Sequence, residues 1–328
     1  MTTSSQTSSN GTDPDWDIVI VGMGPVGVTL AGLMGRFGHR VLAIDKEADV
    51  YDQPRAIGMD HETLRVFQQL GITKDLEPFV SDYKTTEHRS ASGEVIRRFI
   101  SQEPPFTLGW PPYQTFVQPD LERVLRAHVH EIDGVTFKTS HTLTDMDTSG
   151  PLTTLDIHDT ANNTKSQLTA RYVIGCDGGS SFVRKHLAIP FEDLIFDEAW
   201  LVVDVLVGDG VDLPDMNIQY CDPARPHTFV VGPKNLRRWE FRIMHGEQPE
   251  DMTKDATVWK LLEPWLTPDQ ATIWRATTYR FHALVAQAWR AGNTFLAGDA
   301  CHMTPPFLAQ GMVQGIKDAT NLAWKLDA

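Results

Sequence analysis

Hydrophobic positions follow two rhythms along the chain. Short continuous apolar runs occur at 18–21, 41–44, 172–174 and 294–297, and three of the four end in a glycine. Such runs predict strands buried on both faces, as in a parallel sheet. Helical spacing follows them. It covers 28–37, then 62–70 with Leu64, Phe67 and Leu70 on one side and Gly71 as the stop. It returns from Gln118 onward, with Leu121, Val124, Leu125 and Val129 as the apolar side, and at 312–326. Shorter strands are expected at 135–137, 152–158 and 166–169, with Asn162-Asn163 as a turn. Residues 85–112 leave this order. Strand-like pieces at 86–90 and 95–100 flank Ser92-Gly93, and Pro104-Pro105 and Pro111-Pro112 then block regular structure. From about 190 to 284 the rhythm is mostly alternating, with strands at 201–207, 217–220, 228–231 and 239–244, turns at Asp222-Pro223 and Gly232-Pro233, and a helix at 258–266. That pattern predicts an antiparallel sheet.

The expected fold class is therefore mixed α/β. A doubly wound domain would comprise 15–84, 113–189 and 285–328, and an inserted antiparallel-sheet domain would comprise 85–112 and 190–284. Residues 1–14 are Ser/Thr/Asn/Gly-rich and read as a disordered tail without the apolar core of a signal peptide. A length of 328 residues suits roughly two domains. A formal net charge of −14 argues against nucleic acid and anionic membrane as partners. No apolar run is long enough to span a membrane. The three cysteines, Cys176, Cys221 and Cys301, are far apart in sequence, which suggests neither a zinc site nor a disulfide framework and points to the cytoplasm.

Chemistry concentrates where the apolar runs end. Gly22, Gly24 and Gly27 have the G-x-G-x-x-G spacing between a strand and a helix that Pro25 and Val26 open. The first glycine permits the turn, the second lets backbone approach a pyrophosphate, and the third lets helix pack on strand. The helix N-terminus there favours anions. Asp45, followed by Lys46, ends the second strand eighteen residues after Gly27, where an acid can accept from an adenosine ribose. The bland alternative is a solvated acid at a strand end. Arg55 sits in a loop at the same end of the sheet, for a cofactor contact or a surface pair. Gln118 precedes a helix, for a cofactor contact or a cap. Asp177 and the Gly298-Asp299 pair end the later strands. His302 reads as a loop histidine fixed by its neighbours rather than a base. Tyr, His and Arg are scattered through the second domain, so no catalytic base stands out.

Three blocks in this order, 22–27 (Gly-Met-Gly-Pro-Val-Gly), Cys176-Asp177-Gly178 and 298–302 (Gly-Asp-Ala-Cys-His), resemble the class A FAD-dependent aromatic hydroxylases, the group of para-hydroxybenzoate and phenol hydroxylases. Residues 55–62, 222–226 and Arg237-Arg238-Trp239-Glu240-Phe241 are more narrowly similar to 3-(3-hydroxyphenyl)propionate hydroxylases. The resemblance implies a Rossmann-like FAD-binding domain with a substrate domain over the flavin. Gly22, Gly24 and Gly27 would cradle the pyrophosphate and Asp45 the ribose. Arg55 and Gln118 would line the cofactor. Asp177 would lie in the segment shared by FAD and nicotinamide, Asp299 would bind the ribityl chain, and Pro306, Gly311 and Met312 would meet the flavin ring. It also implies NADH or NADPH as transient co-substrate, O2, no metal, and a phenolic acid hydroxylated ortho to its hydroxyl through a flavin C4a-hydroperoxide. A homodimer is compatible with it. Two features depart from the pattern: Ala309 stands where the family has glycine, and the family's usual C-terminal region is absent. The alternatives are a polyketide-type or epoxidising flavin monooxygenase, or an FAD-binding fragment without turnover.

Overall fold

The computed structural model describes residues 13–306 and 309–328. Most of the expected N-terminal tail therefore lies outside the described residues. The labelled elements are β1 (Trp16–Val21), α1 (Pro25–Arg36), β2 (Val41–Ile44), α2 (His61–Leu70), α3 (Gln118–His130), β3 (Thr164–Gly175), β4 (Phe191–Val207), β5 (His227–Val231), β6 (Leu236–Arg242), β7 (Ala271–Ala286), β8 (Thr294–Leu296) and α4 (Gly311–Asp327).

The first sheet is parallel at its centre, in the order β8-β3-β1-β2 and then Val135–Lys138. Its continuous apolar runs have the predicted cause. Ile18, Ile20, Val41 and Ala43 pack into a core built with α1, α2, α3 and α4, while Val19, Val21, Leu42 and Ile44 pack into a second core on the opposite face. That opposite face is covered by a meander of His141–Asp147, Thr153–Asp159 and the first half of β3. The strands expected separately at 166–169 and 172–174 are thus one strand, antiparallel at its start and parallel to β1 at its end.

The second sheet runs His302–Met303, β7, β4, β6, β5, Asn217–Cys221, Thr86–Ser90, Val95–Phe99. It joins the excursion at 85–112 to the region after 190, because Thr86–Ser90 pairs in parallel with Asn217–Cys221. Two findings go beyond the sequence pattern. β7, sixteen residues long, has few fully buried positions and lacks a clean alternation. β4 starts ten residues before the expected strand, in a charged stretch held by pairing with β7. A three-stranded sheet of Gly58–Asp60, Val80–Asp82 and Tyr113–Phe116 bridges the two regions. The back of the second sheet carries its own core around Trp239, Phe229 and Phe241, closed by the helix Asp255–Leu262.

Candidate functional site

A single cavity of about 2350 Å³ runs from the β1–α1 turn to the front of the second sheet. Pockets for drug-sized ligands occupy roughly 300–1,000 Å³, so this space suits an extended cofactor and a further small molecule. Of the residues singled out in the sequence, Gly22, Gly24, Pro25, Val26, Asp45, Lys46, Arg55, Gln118, Asp177, Asp299, Pro306, Gly311 and Met312 all line it. Gly27 and Gly298 do not. Both are packing positions, since a side chain at Gly27 would overlap the Gly22 carbonyl and one at Gly298 would press on Val26.

The turn is shaped by close backbone approach. Gly22 has φ +101°, and a methyl there would overlap the Cys176 carbonyl oxygen. Gly24 is the N-cap of α1 with extended φ, and a methyl there would meet nothing within 4 Å. Its surroundings therefore leave the open volume that a phosphate group needs. Neither α1 nor α4 has a side-chain cap at its N-terminus, and both N-termini open on the same cavity. Free N–H groups and two positive dipole ends suit an elongated anion-bearing group.

The acids around this turn are tied into the backbone. Asp45 Oδ2 accepts from Met23 N at 2.7 Å and Oδ1 from Glu47 N at 3.0 Å, so the carboxylate ties the end of β2 to the glycine turn. Each oxygen keeps a lone pair for a ligand hydroxyl. Lys46 is exposed at the rim beside Glu47. Asp177 accepts from the Ser181 hydroxyl at 2.5 Å and from Val183 N at 3.1 Å, which shapes its loop.

Gln118 is buried, and its amide is committed within the protein. Its Oε1 accepts from Arg55 N at 3.1 Å and Ala56 N at 2.5 Å, and its Nε2 donates to Glu122 at 2.6 Å. It reaches the cavity mainly by fixing the Arg55 loop. Two residues on α3 were not singled out in the sequence. Arg126 donates twice to the Met23 carbonyl, at 2.7 and 3.1 Å, and Glu122 lies 3.8 Å from the Arg55 guanidinium. Burial raises the Glu122 pKa against the pull of Gln118 and Arg55. Their only sequence signal was the i+4 and i+8 spacing from Gln118 on one helix face.

At the other end, Asp299 is open to the cavity while the walls desolvate it. That raises its pKa, with His302 and Arg55 pulling the other way. Behind it His302 Nε2 lies 2.6 Å from Asp318, which also accepts from Gly298 N at 3.0 Å. Cys301 Sγ turns to the same carboxylate at 3.8 Å. Burial opposes the charged form of His302, but the Asp318 hydrogen bond and charge outweigh it and raise its pKa. These contacts fit a loop histidine held by its neighbours. Ala309 has φ +53°, the left-handed region that glycine tolerates, which is the physical content of the expected glycine there.

The front of the second sheet closes the cavity. Arg238 on β6 donates to Asp204 at 2.7 and 3.1 Å and to the carbonyls of Arg55 at 2.8 Å and Pro54 at 3.3 Å. Arg275 lies 3.5 Å from the same aspartate. The sheet is thus fastened to the Arg55 loop by a buried ion cluster.

The model of a family described as FAD binding domain matches residues 15–328. The chain belongs to the FAD-binding domain family. A relative from Rhodococcus jostii (strain RHA1) named "Probable NADH-specific resorcinol 4-hydroxylase" is 37% identical over 95% of the chain and 58% of its own length. The 3-(3-hydroxy-phenyl)propionate/3-hydroxycinnamic acid hydroxylases of Burkholderia vietnamiensis and Escherichia coli are each 35% identical, over 50% and 55% of their lengths. The chain therefore spans little more than half the length of these curated relatives. Among solved structures, p-nitrophenol 4-monooxygenase from Pseudomonas putida superposes with a TM-score of 0.83 at 24% identity, covering 95% of this chain and 79% of that one. Aklavinone-11 hydroxylase in complex with FAD and aklavinone gives 0.81 at 23%, covering 97% of this chain and 63% of that one. The fold is that of the FAD-dependent monooxygenases. Among the described residues no helix is long and apolar enough to cross a membrane.

Proposed function

We propose that the chain binds FAD in an extended form and encloses a phenolic substrate for hydroxylation, with NADH or NADPH and O2 as co-substrates. The observation that carries this reading is the continuity of one cavity from the glycine turn, past the N-terminus of α4, to the front of the second sheet. The segments 15–84, 113–189 and 285–328 form the cofactor domain in this reading, and 85–112 with 190–284 form the substrate domain. When bound, FAD supplies the redox and oxygen-transfer chemistry. The backbone at Gly22, Gly24, Pro25 and Val26 receives the pyrophosphate, with the α1 dipole behind it and Gly27 and Gly298 packed beneath. Asp45 takes the ribose hydroxyls, with Lys46 at the rim. Arg55, placed by Gln118, and Asp177 flank the cofactor, and Asp299 takes the ribityl hydroxyls. Pro306, Gly311 and Met312 would meet the flavin ring, where the N–H groups of α4 would favour negative charge. The sheet front excludes water from the reacting end. The curated relatives, whose names cite resorcinol and hydroxyphenylpropionate, support a substituted phenol as substrate. The test is NADH oxidation by the FAD-loaded protein over a panel of phenols and hydroxyphenyl acids, with the product identified. Phenol-dependent NADH consumption yielding a ring-hydroxylated product is expected. Yellow protein without phenol-dependent turnover would overturn the catalytic part of this reading.

A further inference from the structure

On the front of the second sheet, Glu240 has no hydrogen-bond partner among the described residues. Residues 238, 240 and 242 of β6 alternate onto this face, while Trp239 and Phe241 point into the core behind. Glu240 lines the cavity, in register with Val202 on β4 and Thr228 on β5. Its side chain keeps 15% exposure, and among the described residues its nearest charged partner is Arg238 Nη1 at 4.0 Å, too far for a hydrogen bond. Arg238 is already committed to Asp204 and to two carbonyls. Buried polar groups are nearly always hydrogen-bonded, so an acceptor left open in a cavity wall marks a place for a ligand donor. The wall around it carries Trp200, Val202, Tyr279 and Phe281, which suits an aromatic ring.

We propose that Glu240 accepts the phenolic O–H of the ring that occupies this chamber and acts as the general base of its hydroxylation. The inference rests on the hydroxylase reading and adds the group that sequence alone did not single out. In the step, the phenol O–H bond breaks, its proton passes to a Glu240 carboxylate oxygen, and its electron pair stays on the phenol oxygen. No electrons are exchanged with another group. The electron-rich oxygen then activates the ring carbon beside it, and the proton returns from Glu240 when the product phenol re-forms. General bases of this kind contribute about 10²- to 10⁴-fold.

The charges facing Glu240 are Arg238 and Arg242 on its own strand, Asp204 on β4 and Arg275 on β7, while β5 offers Thr228 and Val230. Arg242 is held by Glu198 at 2.9 Å. Burial pushes the Glu240 pKa up, Arg238 and Arg275 pull it down, and Asp204 adds to the rise; the net direction is upward. The ionised acceptor is therefore lost as pH falls through a raised value, and phenol affinity should fall with it.

The test measures, on the FAD-loaded protein, the dissociation constants of resorcinol and 3-(3-hydroxyphenyl)propionate and of their methyl ethers across pH, by flavin fluorescence. A phenol that binds should weaken toward acid, while its ether, lacking the O–H, should not. Glu240→Gln should abolish the phenol's acid limb, leave FAD affinity unchanged and slow hydroxylation by about 100-fold or more. Glu240→Asp should keep the limb. Equal pH dependence for phenol and ether, or an acid limb that persists in Glu240→Gln, would overturn the assignment with the hydroxylase reading intact. If Glu240→Gln fails to bind FAD, the wild-type comparison of phenol with ether decides. Failure of wild type to bind either phenol at any pH would overturn both.

Discussion

Replacing two glycines of the β1–α1 turn with alanine should produce opposite defects. At Gly24 the backbone is extended with φ −72°, and a methyl would meet no atom within 4 Å. Gly24→Ala should therefore leave the fold intact, at a cost below about 1 kcal/mol for exchanging one N-cap residue. In the proposed reading the methyl would instead occupy space that the pyrophosphate takes. Losing one hydrogen bond to a charged oxygen costs about 1.5–3 kcal/mol, which is roughly 10- to 150-fold in the FAD dissociation constant. Gly22→Ala differs, because its φ of +101° and its overlap with the Cys176 carbonyl act on the protein itself. Backbone strain alone is about 1–3 kcal/mol before the steric clash is counted. Thermal melts of the cofactor-free proteins and FAD titration by fluorescence quenching separate the two. A Gly24→Ala protein that melts and binds FAD like wild type would refute the placement of the pyrophosphate.

Three further predictions follow from buried groups and strain. Asp204→Asn strands Arg238 and Arg275, both almost fully buried, and should cost about 3–5 kcal/mol in urea unfolding; a loss under 1 kcal/mol would show the cluster is not structural. Ala309→Gly relieves a left-handed alanine, worth about 1–2 kcal/mol, against a glycine entropy cost of about 0.4–1 kcal/mol, so a gain between about 0 and about 1.6 kcal/mol is expected; clear destabilisation would contradict the geometry at that turn. Because the folded-state pKa of His302 is raised, its ion pair with Asp318 stabilises fully below the unfolded value of about 6.5 and is lost as pH rises through the folded value. The stability difference between wild type and His302→Asn should shrink over that window, and a difference that grows with pH would overturn the pairing.

The half of the molecule built on the parallel sheet was legible because its signals are local. A continuous apolar run buried on both faces, a glycine turn and an acid at the next strand end each follow from a few neighbouring residues, and Gly22, Gly24 and Asp45 lie where that logic puts them. The half built on the second sheet was less legible because its order is tertiary. β7 alternates poorly, since its partners on β4 supply the pattern, and Thr86–Ser90 joins the second sheet through a parallel pairing 131 positions away from Asn217. Gln118 illustrates the limit at the site. Its position at the cavity could be anticipated, but its commitment to Arg55 and Ala56 depends on a loop 63 and 62 residues earlier, beside its i, i+4 bond to Glu122. Glu240 sat in plain view between two aromatic residues, and only the sheet's facing shows that it turns to the cavity.

In the proposed reading one continuous cavity, floored by the glycine turn and roofed by the second sheet, holds FAD. Titrating folded, cofactor-free protein with FAD tests it most directly. Saturable binding of one FAD per chain with quenched flavin fluorescence is expected. Folded, colourless protein that takes up no FAD would contradict it.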